Sequence, residues 1–533
     1  INRLLDDSGT YDLAVAAHVN ALVPFDNEQF TRQYLEILAR TTGHVASFAD
    51  VLADVPPAPS QPRAARVAAV VDEFTRDCLQ PELDLIHLTP DNWRDVLADV
   101  SIDFVFIESA WVGQDGCWAR KVAYEGGRAT LYALIDFAKS KSLPVVFWNK
   151  EDPMHYDLFL GVARRSDYVF TTDAECIERY RRDIGHAHVY PLPFAAQPAI
   201  HNPMGKSERD GLDILFAGSW YERFPERNAF LDALLPALTQ RGFHLYDRHF
   251  WNPNPEMKFP ARYHSHIFAS LPYVELLRAI KQYKLVLNVN TVVTSSTMCA
   301  RRPFEVSAAA TPVVSNSAKA LDALLPGLIF QADNAPQMQA MLSELLEDQH
   351  RRLRAGHAAW RFVMEHHTYA HRVVELLKTI GIGRTHEGPT WPSVSVRTLG
   401  RSDFAGQDYP GAIDIAAVST EPFDAAACAG AATGDLMVLC ASSQRYEPQV
   451  VKDLVLALRY APADVVGKCA PTNGSPDYAR AWRFIEDGAM PIFAVPTEKL
   501  RTMALPLRDG GLAIDQCRRD TRIYACDPFG VVS

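Results

Sequence analysis

Arg301-Arg302-Pro303-Phe304-Glu305 is preceded by a hydroxyl-rich turn, Thr294-Ser-Ser-Thr-Met298. Two guanidiniums beside several hydroxyls can make charge-assisted, sometimes bidentate, bonds to a phosphate. Glu305 opens a small-residue stretch running to Val314, and a carboxylate there can accept both hydroxyls of a ribose. A plainer reading is an acid favoured by a helix dipole, with surface arginines beside it. Phe216-Ala-Gly-Ser-Trp220 supplies Gly218, which would let backbone approach a diphosphate, and the Ser219 hydroxyl. Its rival is an ordinary tight turn. Asn288 and Asn290 end an apolar run and suit sugar hydroxyls. Trp148-Asn-Lys-Glu-Asp-Pro153 puts an aromatic, an amide, a cation and two acids after the apolar run ending at Phe147. The competing reading there is an internal ion-pair cluster that closes a strand end.

Such clusters need strand ends to carry them. From Arg66 onward, short β-branched runs alternate with helical patterns: 67–71, 104–107, 144–148 and 168–170 as strands, with 93–97, 129–140 and 176–183 as helices. A second series follows a Pro-rich stretch at 191–209, with strands at 213–217, 243–246, 285–289 and 312–314. Its helices are expected at 227–241, 273–282, 303–310, 335–347 and 371–380. Alternation of this kind implies parallel sheets, whose ligand sites lie at the carboxyl ends of strands. The fold class is therefore α/β with two Rossmann-like halves facing a cleft. The partition is 1–62 as an appendage or leading βα unit, 63–200 as the first lobe, 201–388 as the second and 389–533 as a third α/β unit.

The chain has 533 residues, 48% hydrophobic and 22% charged, with formal net charge −11. That charge argues against a general nucleic-acid binder. No apolar run approaches the roughly 18 residues that span a bilayer. Nine scattered cysteines without CxxC pairs suit a reducing cytoplasm.

Several ordered stretches resemble one family: ESAW (108–111), FWNKEDP (147–153), FAGSWYERFPER (216–227), LPY (271–273), LNVNT (287–291) and RRPFEVSAAATPVV (301–314). They look like the CgeB-like spore-maturation glycosyltransferases, of GT-B fold and related to the retaining family 4. The resemblance covers about residues 64–382. It implies a nucleoside diphosphate sugar, a UDP-sugar favoured, held mainly by the second lobe without a required metal or other cofactor. It makes Glu305 the ribose acid, the second of two family-4 glutamates eight positions apart, puts Thr297 where the first would stand, and Ala310 where that family has a glycine. Gly218, Ser219, Asn288, Asn290, Arg301 and Arg302 would join Glu305 on the donor. Lys150, Glu151 and Asp152 would line the acceptor side, one acid taking the acceptor's proton, with Trp148 as a flat face for a sugar ring. Residues 393–533 resemble a degenerate family-2, GT-A-like domain in which Cys440-Ala-Ser-Ser-Gln-Arg445 replaces the metal-holding acids. The expectation is a glycosyltransferase acting on a glycan, protein or small-molecule acceptor, retaining in outcome. A homo-oligomer or protein partner would use the C-terminal unit. The rivals are a sugar-nucleotide epimerase of the same fold and a non-catalytic nucleotide-sugar-binding scaffold.

Overall fold

The computed structural model describes residues 65–99, 101–382, 389–399, 404, 406–418, 432–441, 444–471, 476–500, 503, 505–508 and 511–532. The appendage expected over 1–62 lies outside the described residues.

The first lobe is built on β1 (Arg66–Val70), β2 (Asp84–His87), β3 (Phe104–Glu108), β4 (Val145–Asn149), β5 (Tyr168–Thr171) and β6 (Val189–Pro191). They pair in the order β2-β1-β3-β4-β5-β6, every pair parallel. β3 and β4 are buried along their whole length, as continuous apolar strands covered by helices on both faces must be. The covering helices are α1 (Glu73–Leu79), α2 (Trp93–Asp99), α3 (Ala129–Ser140), α4 (Tyr156–Ala163) and α5 (Ile177–Ile184). Side chains alternate across β4. Phe147 enters the core with Ile107 and Phe159, and Trp148 the core with Phe106 and Phe194. Trp148 is 1% exposed and donates its indole N–H to Leu192 O at 3.0 Å. It is a core residue and cannot serve as a sugar platform.

The second lobe has β7 (Ile214–Gly218), β8 (Phe243–Asp247), β9 (Leu285–Asn288), β10 (Val313–Ser315) and β11 (Phe330–Gln331), all parallel in the order β11-β10-β9-β7-β8. Its helices are α6 (Pro225–Leu238), α7 (Tyr273–Ile280), α8 (Arg302–Ala308), α9 (Lys319–Leu324), α10 (Ala335–Glu347), α11 (Gln349–His366) and α12 (Tyr369–Ile380). Two residues past the end of α8, Ala310 has a φ of 54°, in the left-handed region that glycine enters without strain.

The two lobes are joined twice. The Pro-rich stretch after β6 runs beside the return of the chain from α11: Ala196 N–H donates to His367 O at 2.9 Å and Tyr369 N–H to Ala196 O at 2.8 Å. Arg372 of α12 then donates to Pro193 O and Phe194 O, and α12 packs on α1. A last helix that crosses back onto the first lobe, with two parallel sheets presenting strand ends to one junction, is the GT-B arrangement.

The third unit is a mixed seven-stranded sheet in the order 413–418, 394–399, 436–441, 492–496, 465–468, 523–525, 483–484. Its helix α13 (Val450–Leu458) lies against α11 of the second lobe.

Candidate active site at the lobe junction

At the end of β1, β3 and β4 the polar groups form one ion cluster. Lys150 Nζ lies 3.1 Å from Asp72 Oδ2 and 3.0 Å from Glu108 Oε1. Asp72 also accepts from the amides of Trp111, Val112 and Gly113, at 2.7 Å from the last. Glu108, wholly buried, accepts from the Thr75 hydroxyl and the Asp72 amide. Burial pushes the Asp72 carboxyl up, but Lys150 and the amides outweigh it and hold it below the usual range. Burial dominates at Glu108 and raises it despite Lys150. Burial lowers Lys150, and its two carboxylates more than restore its charge. Lys150 is thus already committed to two acids.

Asp152 is also fully buried. Its Oδ1 accepts from Asn149 Nδ2 at 2.8 Å and Tyr180 Oη at 3.2 Å, and its Oδ2 from the Thr171 hydroxyl at 2.6 Å. Among the described residues no cation pairs with it, and burial pushes it up to about 7, with Arg179 pulling weakly the other way. Glu151 differs: it is half-exposed, and its carboxylate bonds to none of the described residues. Beside it His155 stands edge-on to Trp111, ring centroids 5.1 Å apart. Burial lowers His155, Glu151 works against that, and Arg223 of the second lobe adds to it from across the junction. Of the three acceptor-side residues read from the sequence, Glu151 alone keeps an open functional group.

On the second lobe, Arg301, Arg302 and Glu305 do come together. Glu305 sits in the first turn of α8, three and four residues after the arginines, so helix geometry stacks all three side chains. Arg301 Nε is 3.2 Å from Oε1 and Arg302 Nη1 3.3 Å from Oε2. Tyr273 Oη donates to Oε1 at 2.9 Å. Burial raises the Glu305 carboxyl, and the two guanidiniums outweigh it and hold it below the usual range. Phe74, from α1 of the first lobe, lies under the Arg301 guanidinium at 3.7 Å. Buried Tyr369 of α12 feels Arg301, Glu305 and Glu108 alike, so the two charged clusters are neighbours.

Asn288 and Asn290 point elsewhere. Their amides donate to Ser315 Oγ at 3.0 and 3.2 Å, and Asn290 Oδ1 accepts the Ala300 amide. They brace the end of β9 against β10. Gly218 has no positive φ; a Cβ there would meet the Phe216 ring at 2.6 Å, so close packing requires the glycine. Ser219 is 6% exposed, and its carbonyl accepts from Arg227 at 2.9 Å.

Four residues escape a reading based on motifs alone. Arg227, at the start of α6, has no carboxylate partner among the described residues, and burial lowers it to about 10. Exposed Arg248 follows β8 and acts electrostatically on Arg302. Asp247, buried, is pushed up to about 6 by desolvation and accepts the His249 amide. His201 bonds Tyr273 Oη at 2.6 Å. Arg227 falls inside FAGSWYERFPER, so its place was visible but its isolation from acids was not.

The hydroxyl-rich turn has a task of its own. Thr297 Oγ1 donates to Thr172 O at 2.9 Å and accepts the Ala174 amide at 2.8 Å, both in the first lobe. Ser295 Oγ bonds Asp173 at 2.7 Å and Glu175 at 3.0 Å, and the Ser296 amide donates to Glu175. These hydroxyls clasp the lobes together.

One group with metal-ligand chemistry occurs among the described residues: His357, Asp453 and Asp527, buried where α11 meets the third unit. Lys468 Nζ lies 3.0 Å from Asp453 and 2.8 Å from Asp527, so an ammonium already holds the place between the acids.

Residues 226–378, within the second lobe, match the family described as Glycosyl transferase-like. Among individual proteins, the chain is 26% identical over 87 residues to Spore protein CgeB of Bacillus subtilis (strain 168), a match spanning 16% of this chain and 27% of that protein. Solved structures with a similar course include Anabaena HepE in complex with UDP, 10% identical, covering 64% of this chain and 97% of that one at a TM-score of 0.38. T4 phage BGT with UDP and Mn2+ is 11% identical over 59% of this chain and 99% of its own, at 0.41. No helix among the described residues is long and apolar enough to cross a membrane.

Proposed function

We propose that this chain moves a sugar from a nucleoside diphosphate sugar, a UDP-sugar foremost, to a hydroxyl of a glycan, protein or small-molecule acceptor. The observation that carries this is the pair Arg301 and Arg302, partly exposed at 29% and 17% of their side chains, at the amino end of α8 inside the glycosyl transferase-like segment. Guanidiniums there can stabilise charge developing on a leaving diphosphate, and Arg227 and Arg248 add positive potential. These cations support transfer without a divalent ion. The likeness to family 4 favours retention. Of the acceptor-side residues in the first lobe, Glu151 is the acid whose carboxylate bonds to none of the described residues, suited to orient the acceptor hydroxyl or take its proton. Alignment of donor and acceptor across the junction supplies the rest. The third unit, in this reading, is a GT-A-like module without catalysis that serves packing or partner docking.

The test is a donor screen, following sugar release by mass spectrometry with and without acceptors. Release from one donor, reduced about a hundredfold or more in Arg302→Ala, is expected. Conversion of the donor to an epimer without release would favour an isomerase. No release and no calorimetric heat with any nucleoside diphosphate would overturn the reading.

A further inference from the structure

A carboxylate that binds ribose must offer a lone pair to the cleft. Glu305 offers none. Its side chain is 0% exposed, with Arg301 and Tyr273 on one oxygen and Arg302 on the other. Two hydrogen bonds, from Tyr273 and Arg302, and the Arg301 ion pair occupy it. The approach is covered as well, because Phe74 lies on Arg301 and edge-on to Tyr273, with ring centroids 5.6 Å apart.

Behind the carboxylate runs a buried relay with a fixed direction. Gln197 N–H donates to His201 Nδ1 at 2.9 Å. A neutral imidazole then carries its proton on Nε2, which donates to Tyr273 Oη. The Tyr273 hydroxyl proton goes to Glu305. Burial lowers His201 to about 4, consistent with a neutral ring. Each member supports the next, and Glu305 ends the chain as acceptor only.

The arginines are held differently. Arg301 engages Glu305 through Nε and Arg302 through Nη1, and their remaining N–H groups bond to none of the described residues. Two cations on one anion leave one positive charge in excess at a partly exposed point. Resting on the reading above that this lobe takes a nucleoside diphosphate, we infer that Glu305 is a positioning residue. It fixes Arg301 and Arg302 toward the diphosphate and does not touch the ribose, and Tyr273 and His201 act behind it in the same task.

Calorimetry with UDP, 2′,3′-dideoxy-UDP and inorganic pyrophosphate separates the two roles. In Glu305→Gln all three ligands should weaken by a similar factor of about ten, as expected when charge-assisted bonds lose their alignment. The affinity ratio of UDP to the dideoxy ligand should match that of the wild type. Loss of that ratio in Glu305→Gln, or unchanged pyrophosphate affinity, overturns the assignment. If circular dichroism shows Glu305→Gln misfolded, Tyr273→Phe carries the same comparison, with pyrophosphate weakened about threefold through one lost support and the ratio again unchanged. A shifted ratio there overturns it equally. If the wild type binds none of the three ligands, the nucleotide reading itself fails and the assignment falls with it.

Discussion

Asp152 is an acid surrounded by neutral donors, which makes its proton a measurable quantity. Burial sets its carboxyl at about 7 in the folded chain, well above an unfolded aspartate. Between these values the folded state holds a proton that the unfolded state has lost. Stability from this group is therefore full at low pH and falls as pH rises toward 7, by on the order of 4 kcal/mol. Buried His201 and partly buried His371, lowered to about 4, contribute the opposite slope up to about pH 6.5. The comparison must be between proteins: denaturant unfolding of wild type and Asp152→Asn at pH 5 and 8 should show the wild type losing more stability with rising pH. Equal slopes would mean Asp152 ionises freely.

At the scale of elements, the telling feature is the loop 294–298 set against the end of β5. A turn rich in hydroxyls reads from sequence as a phosphate cradle. The structure instead uses Thr297 as donor and acceptor to one backbone stretch, which a glutamate could not do, since an ionised carboxylate only accepts. Thr297→Val should remove both bonds at nearly equal volume. A loss of about 1–2 kcal/mol of stability is expected. Hydrogen exchange should quicken at the Ala174 amide before it quickens elsewhere in the first lobe. Unchanged exchange at Ala174 would mean that other contacts hold the lobes.

At the scale of the molecule, the third unit is anchored rather than tethered. Arg361 of α11 grips Asp453 through two N–H groups, at 2.6 and 3.0 Å. Lys468 joins Asp453 to Asp527 in the same buried cluster, and Arg354–Glu447 and Lys452–Glu365 flank it. Removing one partner strands charge out of water. Lys468→Met should cost about 3–5 kcal/mol and split one calorimetric transition into two, as the third unit melts apart from the second lobe. A single unshifted transition would show that the cluster contributes nothing to docking.

Local pattern alone determined the strands and many of the helices: Ala129–Ser140 and Ala335–Glu347 were legible to the residue, because period and apolar content act over a few neighbours. Helix α11 was not legible, since its pattern serves two partners, α8 within the lobe and α13 of the third unit, and shows no single apolar stripe. The sequence likewise marked Lys150, Asp152, Asn288, Asn290, Arg301, Arg302 and Glu305 as polar groups near strand ends. Whether each faces solvent or another charge was decided only by tertiary structure. Burial and pairing depend on residues far away in the chain, as when Asp72 and Glu108 claim Lys150, or Phe74 and Tyr273 close over Glu305. A charge left unpaired in the interior costs more than local preference can supply, so the distant partners decide what each polar group is free to do.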